Sequence, residues 1–340
     1  LQFMESKSWH KSTTKKQGIL QLATTKQILA TAGVGDKQVC IYDSIKKQVV
    51  QTIGGGGSGS AIQAMTVGST SDSSTMVVVA TSTKSKKDPA PVVRLYDDEN
   101  SVVAETKLDE VVVAVDIHPS NKFVCVLTNT KLLVMDATTL KEFATYKAAA
   151  ANDDDTSTTS FTAGRLHPDG MLYVAGTNTG SILIWDFNSM KLASTLKTAS
   201  ETATAISSLT FSPNGYHLAS CSMDEASLGV GATVAIWDLK KQKILKTYKD
   251  ASSACFDVSG KYVAYLHNNC DGDNKKQEIC MAVVKDWDKI VTAAPNKAGD
   301  TADSLVWMES GMLVTTSSTK RGISFYGEES SDGGGEKMEE

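Results

Sequence analysis

The segments Ile182-Leu-Ile-Trp-Asp186 and Val234-Ala-Ile-Trp-Asp238 decide the fold, because their pattern recurs along the 340-residue chain. Each copy is a short apolar run that ends in an aromatic or large apolar residue, usually followed by Asp. The other copies are Val39-Cys-Ile-Tyr-Asp43, Val93-Arg-Leu-Tyr-Asp97, Leu132-Leu-Val-Met-Asp136, a degenerate one near Ile279–Val284, and Ile323-Ser-Phe-Tyr326. Positions 42, 96, 135, 185 and 237 lie 39 to 54 residues apart. A period of this length indicates an array of similar units.

Turn signals precede three copies of the repeat. They are Leu166-His-Pro-Asp-Gly170, Phe211-Ser-Pro-Asn-Gly215 and Phe256-Asp-Val-Ser-Gly260, in which Pro, Asp or Asn, and Gly favour a tight turn. Runs such as Leu218-Ala-Ser-Cys-Ser222 and Lys191-Leu-Ala-Ser-Thr-Leu196 complete about four strands per unit, with no convincing helix. The sequence therefore predicts an all-β fold, a seven-bladed WD-repeat β-propeller, whose closure removes exposed sheet edges.

We assign the propeller to residues 18–327. Residues 1–17 form an N-terminal segment that includes the strand closing the last blade, for which Ser6–Thr13 is the candidate. Residues 328–340 are acidic and Gly-rich, a composition that predicts a disordered tail. Because the sequence begins at Leu1 rather than Met, we expect it to be a piece of a longer protein.

Composition excludes several classes of function. The net charge is −5, and only three of the 34 basic residues are arginine (Arg94, Arg165 and Arg321), which disfavours direct nucleic-acid binding. No apolar run approaches the ~18 residues that a membrane helix needs. The six cysteines are scattered without a C-x-x-C pair, as expected in a reducing compartment.

Two segments resemble cofactor or metal motifs, but each lacks a feature that such a site requires. Gly54-Gly-Gly-Gly-Ser-Gly59 matches G-x-G-x-x-G, but a strand-like run follows where a dinucleotide site needs a helix, so a flexible loop is favoured. Asp271-Gly-Asp273 resembles a calcium loop, yet Ala282 stands where a bidentate Glu is required. The five histidines are far apart. We therefore predict no catalytic residue, cofactor, metal site or small-molecule substrate, although titratable groups that converge on the channel would indicate a propeller enzyme.

Two sets of residues are predicted to have roles in packing or binding. The aromatic residues of the repeat are expected to pack between blades: Tyr42, Tyr96, Trp185, Trp237 and Tyr326. Lysines cluster in the turns after the repeat, which project from one face of a propeller. The candidate partner-binding face consists of His167, Asp169, Asn214, Tyr216, Lys191, Lys240, Lys241 and Lys243. These lysines either solvate and protect strand edges or dock an acidic protein or an RNA backbone.

The order of these segments resembles the C-terminal propeller of the pre-mRNA-processing factor 19 family of U-box ubiquitin ligases. The segments that carry the resemblance are Phe161–Gly170, Ile182–Phe187, Ser208–Ala219, Val234–Lys240, Phe256–Ala264 and Ile28–Val39. The similarity covers roughly residues 8–327. This sequence lacks the Gly-His dipeptide of many WD repeats, and Val284-Lys-Asp-Trp287 replaces a regular Trp-Asp ending.

The resemblance implies a scaffold of pre-mRNA splicing that acts in the nucleus, with a role in DNA repair. It implies protein partners, namely spliceosomal complex subunits and ubiquitination substrates, and a full-length homotetramer that assembles through a coiled coil outside this chain. The ubiquitin-protein ligase activity would reside in a U-box that is also outside it. The alternative is an unrelated WD-repeat adaptor, such as a G-protein-β-like or cytoskeletal scaffold.

Overall fold

The chain folds into a closed ring of small antiparallel sheets. A computed structural model describes residues 2–327 except 11–18, 26, 34–36, 55–60, 70–74, 83–89, 148–158, 198–203, 223–230, 270–275, 296–301 and 318–321. In this part of the chain, 28 strands form seven four-stranded sheets, here called blades 1–7. Among the described residues, no helix has the length and hydropathy needed to cross a membrane.

Blades 1–6 each consist of four consecutive strands, ordered from the central channel to the rim. Blade 1 contains β2 (Ile19–Thr25), β3 (Ile28–Gly33), β4 (Gln38–Asp43) and β5 (Gln48–Gly54). Blade 2 contains β6 (Ala61–Ser69), β7 (Thr75–Ser82), β8 (Val92–Tyr96) and β9 (Val102–Lys107). Blade 3 contains β10 (Val112–Ile117), β11 (Phe123–Thr128), β12 (Lys131–Asp136) and β13 (Glu142–Lys147).

The second half of the ring repeats this arrangement. Blade 4 contains β14 (Phe161–Leu166), β15 (Leu172–Thr177), β16 (Ser181–Asp186) and β17 (Lys191–Lys197). Blade 5 contains β18 (Ile206–Phe211), β19 (His217–Ser222), β20 (Thr233–Asp238) and β21 (Lys243–Lys249). Blade 6 contains β22 (Ala251–Phe256), β23 (Tyr262–Asn269), β24 (Lys276–Val283) and β25 (Asp286–Pro295).

Blade 7 joins the two ends of the chain. It contains β26 (Ser304–Trp307), β27 (Leu313–Thr316), β28 (Ile323–Gly327) and, as its outermost strand, β1 (Gln2–Lys7). The closing strand therefore lies earlier than the predicted Ser6–Thr13 and overlaps it only at residues 6 and 7. The prediction was wrong because β1 is a mostly exposed rim strand without an apolar pattern, and it is held by backbone pairing with β28.

The core is divided among the seven junctions between blades. Each junction holds one cluster of buried apolar side chains, and the seven clusters lie between blades 1 and 2, 2 and 3, 3 and 4, 4 and 5, 5 and 6, 6 and 7, and 7 and 1. The innermost strands of neighbouring blades contact each other around the whole ring, including β26 with β2. The predicted seven-bladed propeller is confirmed.

The position of each strand explains its composition. The third strand of a blade is covered on both faces by neighbouring blades, so β16 and β20 have four successive buried residues, as in sheets that are covered on both sides. The outermost strands, such as β13 and β17, are largely exposed and are correspondingly polar. The third strand also meets the fourth at a bulge beside the repeat aromatic, for example between Ile184 and Trp185, which increases the local twist.

Candidate functional site

In blades 1–5, the Asp of the repeat shapes the turn between the third and fourth strands. In blade 3, the Asp136 carboxylate accepts hydrogen bonds from the backbone N–H groups and hydroxyls of Thr138 and Thr139. These donors, with the Thr138 side chain first, lower the pKa of Asp136 to about 2. Asp186 and Asp238 make the same kind of bond to the backbone N–H groups of Asn188 and Lys241. The turn closes through one residue with positive φ, such as Met190 (57°).

Histidine links the turns between the first and second strands of blades 3, 4 and 5. His118 Nε2 donates to the Gly170 carbonyl at 3.1 Å, and His167 Nε2 donates to the Gly215 carbonyl at 3.0 Å. Both glycines have positive φ, 78° and 73°, and a Cβ at either position would approach the imidazole to 2.3 or 2.2 Å. In blade 5, Ser212 replaces the histidine, and a Cβ at the following Gly260 would make only ordinary van der Waals contact, with Pro213 Cδ at 3.7 Å. Each histidine is therefore a latch between consecutive blades.

Both kinds of turn lie on the same face of the ring, here called the turn face. Within blade 4, the Phe187 N–H donates to the Met171 carbonyl at 2.9 Å, and within blade 5 the Leu239 N–H donates to the Tyr216 carbonyl at 3.1 Å. These bonds join the two turns within each blade, and the His167–Gly215 hydrogen bond joins blade 4 to blade 5, so the turns of these two blades form a continuous surface.

The structure places the eight candidate binding residues on the turn face of blades 4 and 5. Some of them are held by local contacts, and the others project to solvent. His167 is buried, Asp169 lies against its imidazole, and Asn214 accepts a hydrogen bond from the Tyr216 N–H. Lys241 pairs with Asp238 at 3.6 Å. The side chains that project to solvent include those of Tyr216, which is 70% exposed, and of Lys191, Lys240 and Lys243.

The five repeat aromatics occupy junctions between blades. Tyr42, Tyr96, Trp185, Trp237 and Tyr326 are all buried, and each belongs to the cluster that joins its blade to the preceding one. Trp237 is 2% exposed, and its Nε1–H donates to Ser220 Oγ at 2.8 Å. These side chains have positions suited to packing, not to contact with a partner.

The central channel is lined mainly by uncharged side chains. Small and apolar residues from the innermost strands of all seven blades line a volume of about 260 Å³. Its charged lining residues are Asp116 and Arg165, whose side chains approach to 3.6 Å. Burial raises the pKa of Asp116, while Arg165 and the Leu166 N–H oppose the shift. Among the described residues, no group of three His, Cys, Asp or Glu side chains has the geometry of a metal site. The calcium-like segment at 271–273 and most of the Gly-rich segment lie outside those residues.

Sequence reasoning missed an apolar groove on the turn face between blades 3 and 4. It is lined from blade 3 by Phe123, Phe143 and Tyr146 and from blade 4 by Met171, Phe187 and Met190, and it is here called the blade 3–4 groove. The residues of its two walls belong to different repeats. A repeat-by-repeat comparison would have found it, because Phe143 and Met190 correspond to Ala193 and Gln242 in the next repeats.

Comparisons with known proteins agree with this fold. The WD domain, G-beta repeat family model matches residues 191–238. The chain is 27% identical to pre-mRNA-processing factor 19 homolog 2 of Arabidopsis thaliana over 321 residues, 92% of this chain and 55% of that protein. It is 30% identical over 110 residues, 31% of the chain and 19% of the relative, to pre-mRNA-processing factor 19 of Oryza sativa subsp. japonica.

A shorter match links the chain to small ribosomal subunit protein RACK1 of Medicago sativa, with 33% identity over 36% of this chain and 37% of that protein. Among solved structures, the β-propeller domain of Cps50 (Swd1) from Myceliophteria thermophila superposes with a TM-score of 0.70 and 14% identity, covering 96% of this chain and all of that one. The chain spans about half the length of its Arabidopsis relative. The chain is thus a seven-bladed β-propeller with a WD-repeat match at residues 191–238, and it is similar in sequence to pre-mRNA-processing factor 19.

Proposed function

We propose that this chain is the protein-binding propeller of a nuclear splicing factor that is also a ubiquitin-ligase scaffold. The observation that carries the proposal is the similarity to a pre-mRNA-processing factor 19 homolog over 92% of the chain, because it extends around the whole ring and is not confined to one repeat. The longer protein would contribute a U-box for ligase activity and a coiled coil for tetramerisation. This propeller would recognise spliceosomal subunits and ubiquitination substrates without catalysing a reaction.

The turn face is the surface that we assign to this recognition. Its backbone is fixed by the Asp caps and the histidine latches, and rigid turns on a stable scaffold are a common basis for binding. Its side chains are not used in the core: Tyr216, Lys191, Lys240 and Lys243 project from blades 4 and 5. Ammonium groups at the rim of such a surface steer acidic partners and increase their association rate. The low arginine content favours a protein over an RNA backbone as the partner.

A ribosomal scaffold is the second candidate, since the local match to RACK1 is 33% identical over 132 residues. Affinity purification with the tagged chain from nuclear and cytoplasmic extracts of cells that contain this protein separates the two. Enrichment of spliceosomal proteins over ribosomal subunits is expected. Enrichment of small ribosomal subunits without spliceosomal proteins would overturn the proposal and favour the second candidate.

A further inference from the structure

The blade 3–4 groove exposes three large apolar side chains within one depression of the surface. Phe143 is 69% exposed, Met190 52% and Met171 39%. At the position of Phe143 on the outermost strand, blades 1, 2, 4 and 5 carry smaller residues, namely Val50, Val103, Ala193 and Leu245. Single exposed apolar residues are ordinary, but a contiguous group on the surface marks a binding site.

The walls of the groove are fixed by contacts among its own aromatic side chains. The ring of Phe143 lies 5.4 Å from that of Phe123, and the ring of Tyr146 lies 5.6 Å from that of Phe187. The Tyr146 hydroxyl donates to Met190 Sδ at 2.8 Å. The aromatic residues give a preformed shape, while the thioethers of Met171 and Met190 adapt to the group that enters.

The size of the groove limits what it accepts. Its volume is about 230 Å³, below the range of roughly 300–1,000 Å³ that is usual for small-molecule and cofactor sites. A volume of this size suits one large apolar side chain that is presented by a longer peptide. The groove is open to solvent along the turn face, so the flanking peptide residues would lie over the neighbouring turns.

The charges beside the groove indicate which residues of the peptide would flank the apolar side chain that enters it. Each nearby carboxylate is engaged locally: Asp136 and Asp186 cap their own turns, Asp169 lies against His167, and Glu142 accepts from Thr145. Three exposed lysines adjoin the groove in sequence and have no ion pair among the described residues, namely Lys122, Lys141 and Lys191. The electrostatic complement of such a rim is an acidic peptide.

We propose that the blade 3–4 groove binds a short linear peptide in which one large apolar or aromatic residue is flanked by Asp or Glu. This inference rests on the proposed function as a protein-binding propeller and names the ligand class and the site. The apolar residue would enter between Phe143 and Met190, and the acidic residues would pair with Lys122, Lys141 and Lys191.

The test begins with panning of a random dodecapeptide library against the chain, followed by fluorescence-anisotropy titration of the recovered peptides. The groove variant is Phe143→Ala with Met190→Gln, which introduces the residues found at the corresponding positions of the next blades. Its matched control is Val103→Ala, at the position in blade 2 that corresponds to Phe143. We expect recovered peptides with the proposed pattern, affinity at least tenfold weaker for the groove variant, and a change within twofold for the control.

A second pair of variants tests the charge component. Replacement of Lys122, Lys141 and Lys191 by Gln is expected to weaken binding severalfold and to reduce its salt dependence, whereas Lys197→Gln with Lys249→Gln, at the far ends of β17 and β21, leaves both unchanged. Failure to enrich any peptide, recovered peptides without acidic flanks, or equal affinity for the groove variant would overturn the inference. Self-association that depends on Phe143, measured by sedimentation velocity, would overturn it in favour of a second copy as occupant.

The outcome is separable from that of the proposed function. If the groove variant retains peptide binding and the parent chain captures spliceosomal proteins, the inference about the groove is overturned and the proposed function stands. If peptides bind at the groove but the chain captures ribosomal subunits without spliceosomal proteins, the proposed function is overturned and the assignment of the groove as a peptide site stands. Thermal melting of every variant provides the check on folding, since Phe143 and Met190 are more than half exposed.

Discussion

The histidine latch between blades 4 and 5 allows a prediction with an internal control. Gly215 and Gly260 occupy equivalent turns and have φ values of 73° and 67°, so substitution by Ala imposes the same left-handed strain, roughly 1–2 kcal/mol, at each position. Only at Gly215 does the new Cβ also approach the imidazole of His167, to 2.2 Å, whereas the nearest atom at Gly260 is 3.7 Å away.

The additional cost at Gly215 follows from what the imidazole must give up. It has to leave the 3.0 Å hydrogen bond to the Gly215 carbonyl, a loss of about 1 kcal/mol, and its edge-on contact with Phe211 at 4.8 Å, which contributes about 0.5–1 kcal/mol. Gly215→Ala should therefore lower the free energy of unfolding by about 1.5–2 kcal/mol more than Gly260→Ala does.

Urea unfolding followed by tryptophan fluorescence, in a double-mutant cycle with His167→Ala, measures this difference. In the His167→Ala background, Gly215→Ala should cost no more than Gly260→Ala, because the clash and the latch are both absent. Equal costs for the two glycine substitutions in the parent chain, or an unchanged excess cost in the His167→Ala background, would refute the reasoning.

Three further predictions concern the core and the closure of the ring. Trp237→Ala should lower the free energy of unfolding by about 3–5 kcal/mol, as for other buried aromatics, and Trp237→Phe by less; equal unfolding midpoints in urea for Trp237→Ala and the parent would contradict the packing role. Deletion of residues 1–10 should expose the edge of β28 and produce aggregation on size-exclusion chromatography, whereas a monomer with unchanged melting would show that β1 is dispensable. Burial raises the pKa of the Cys221 thiol to about 11 and that of Cys255 further, so at pH 8 neither should react with maleimide in peptide mapping until urea is added; rapid labelling of the native chain would contradict their placement.

The ring was predictable because the third strand of every blade has similar packing requirements, and the residues that meet them recur in the sequence. A third strand between two blades needs apolar residues on both faces, a large side chain at the junction and a carboxylate for the turn, and residues 182–186 and 234–238 satisfy all three demands. The degenerate sixth copy also forms such a strand, β24, although only the two residues between Val283 and Asp286 separate it from β25. The closing strand β1 was misplaced because a polar rim strand has no comparable pattern.

The binding surface was only partly predictable. That the turns after the first and third strands share one face follows from antiparallel topology alone, so the cluster of lysines in blades 4 and 5 was visible in the sequence. The burial of His167 was not, because its partner, Gly215, lies 48 residues away. The groove was missed for the same reason, since Phe143 and Met190 are far apart in sequence and meet only when blades 3 and 4 pack together.

The measurement that tests the central claim most directly is the retention of spliceosomal proteins by two charge-reversal variants of the propeller. Lys240→Glu, Lys241→Glu and Lys243→Glu together alter the turn face, whereas Lys197→Glu with Lys249→Glu alter the opposite ends of the outermost strands. Quantitative mass spectrometry of affinity purifications, with and without ribonuclease, should show several-fold lower retention for the first variant, near-parental retention for the second, unchanged melting for both, and no effect of ribonuclease. Equal retention by the two variants would contradict the assignment of partner binding to the turn face.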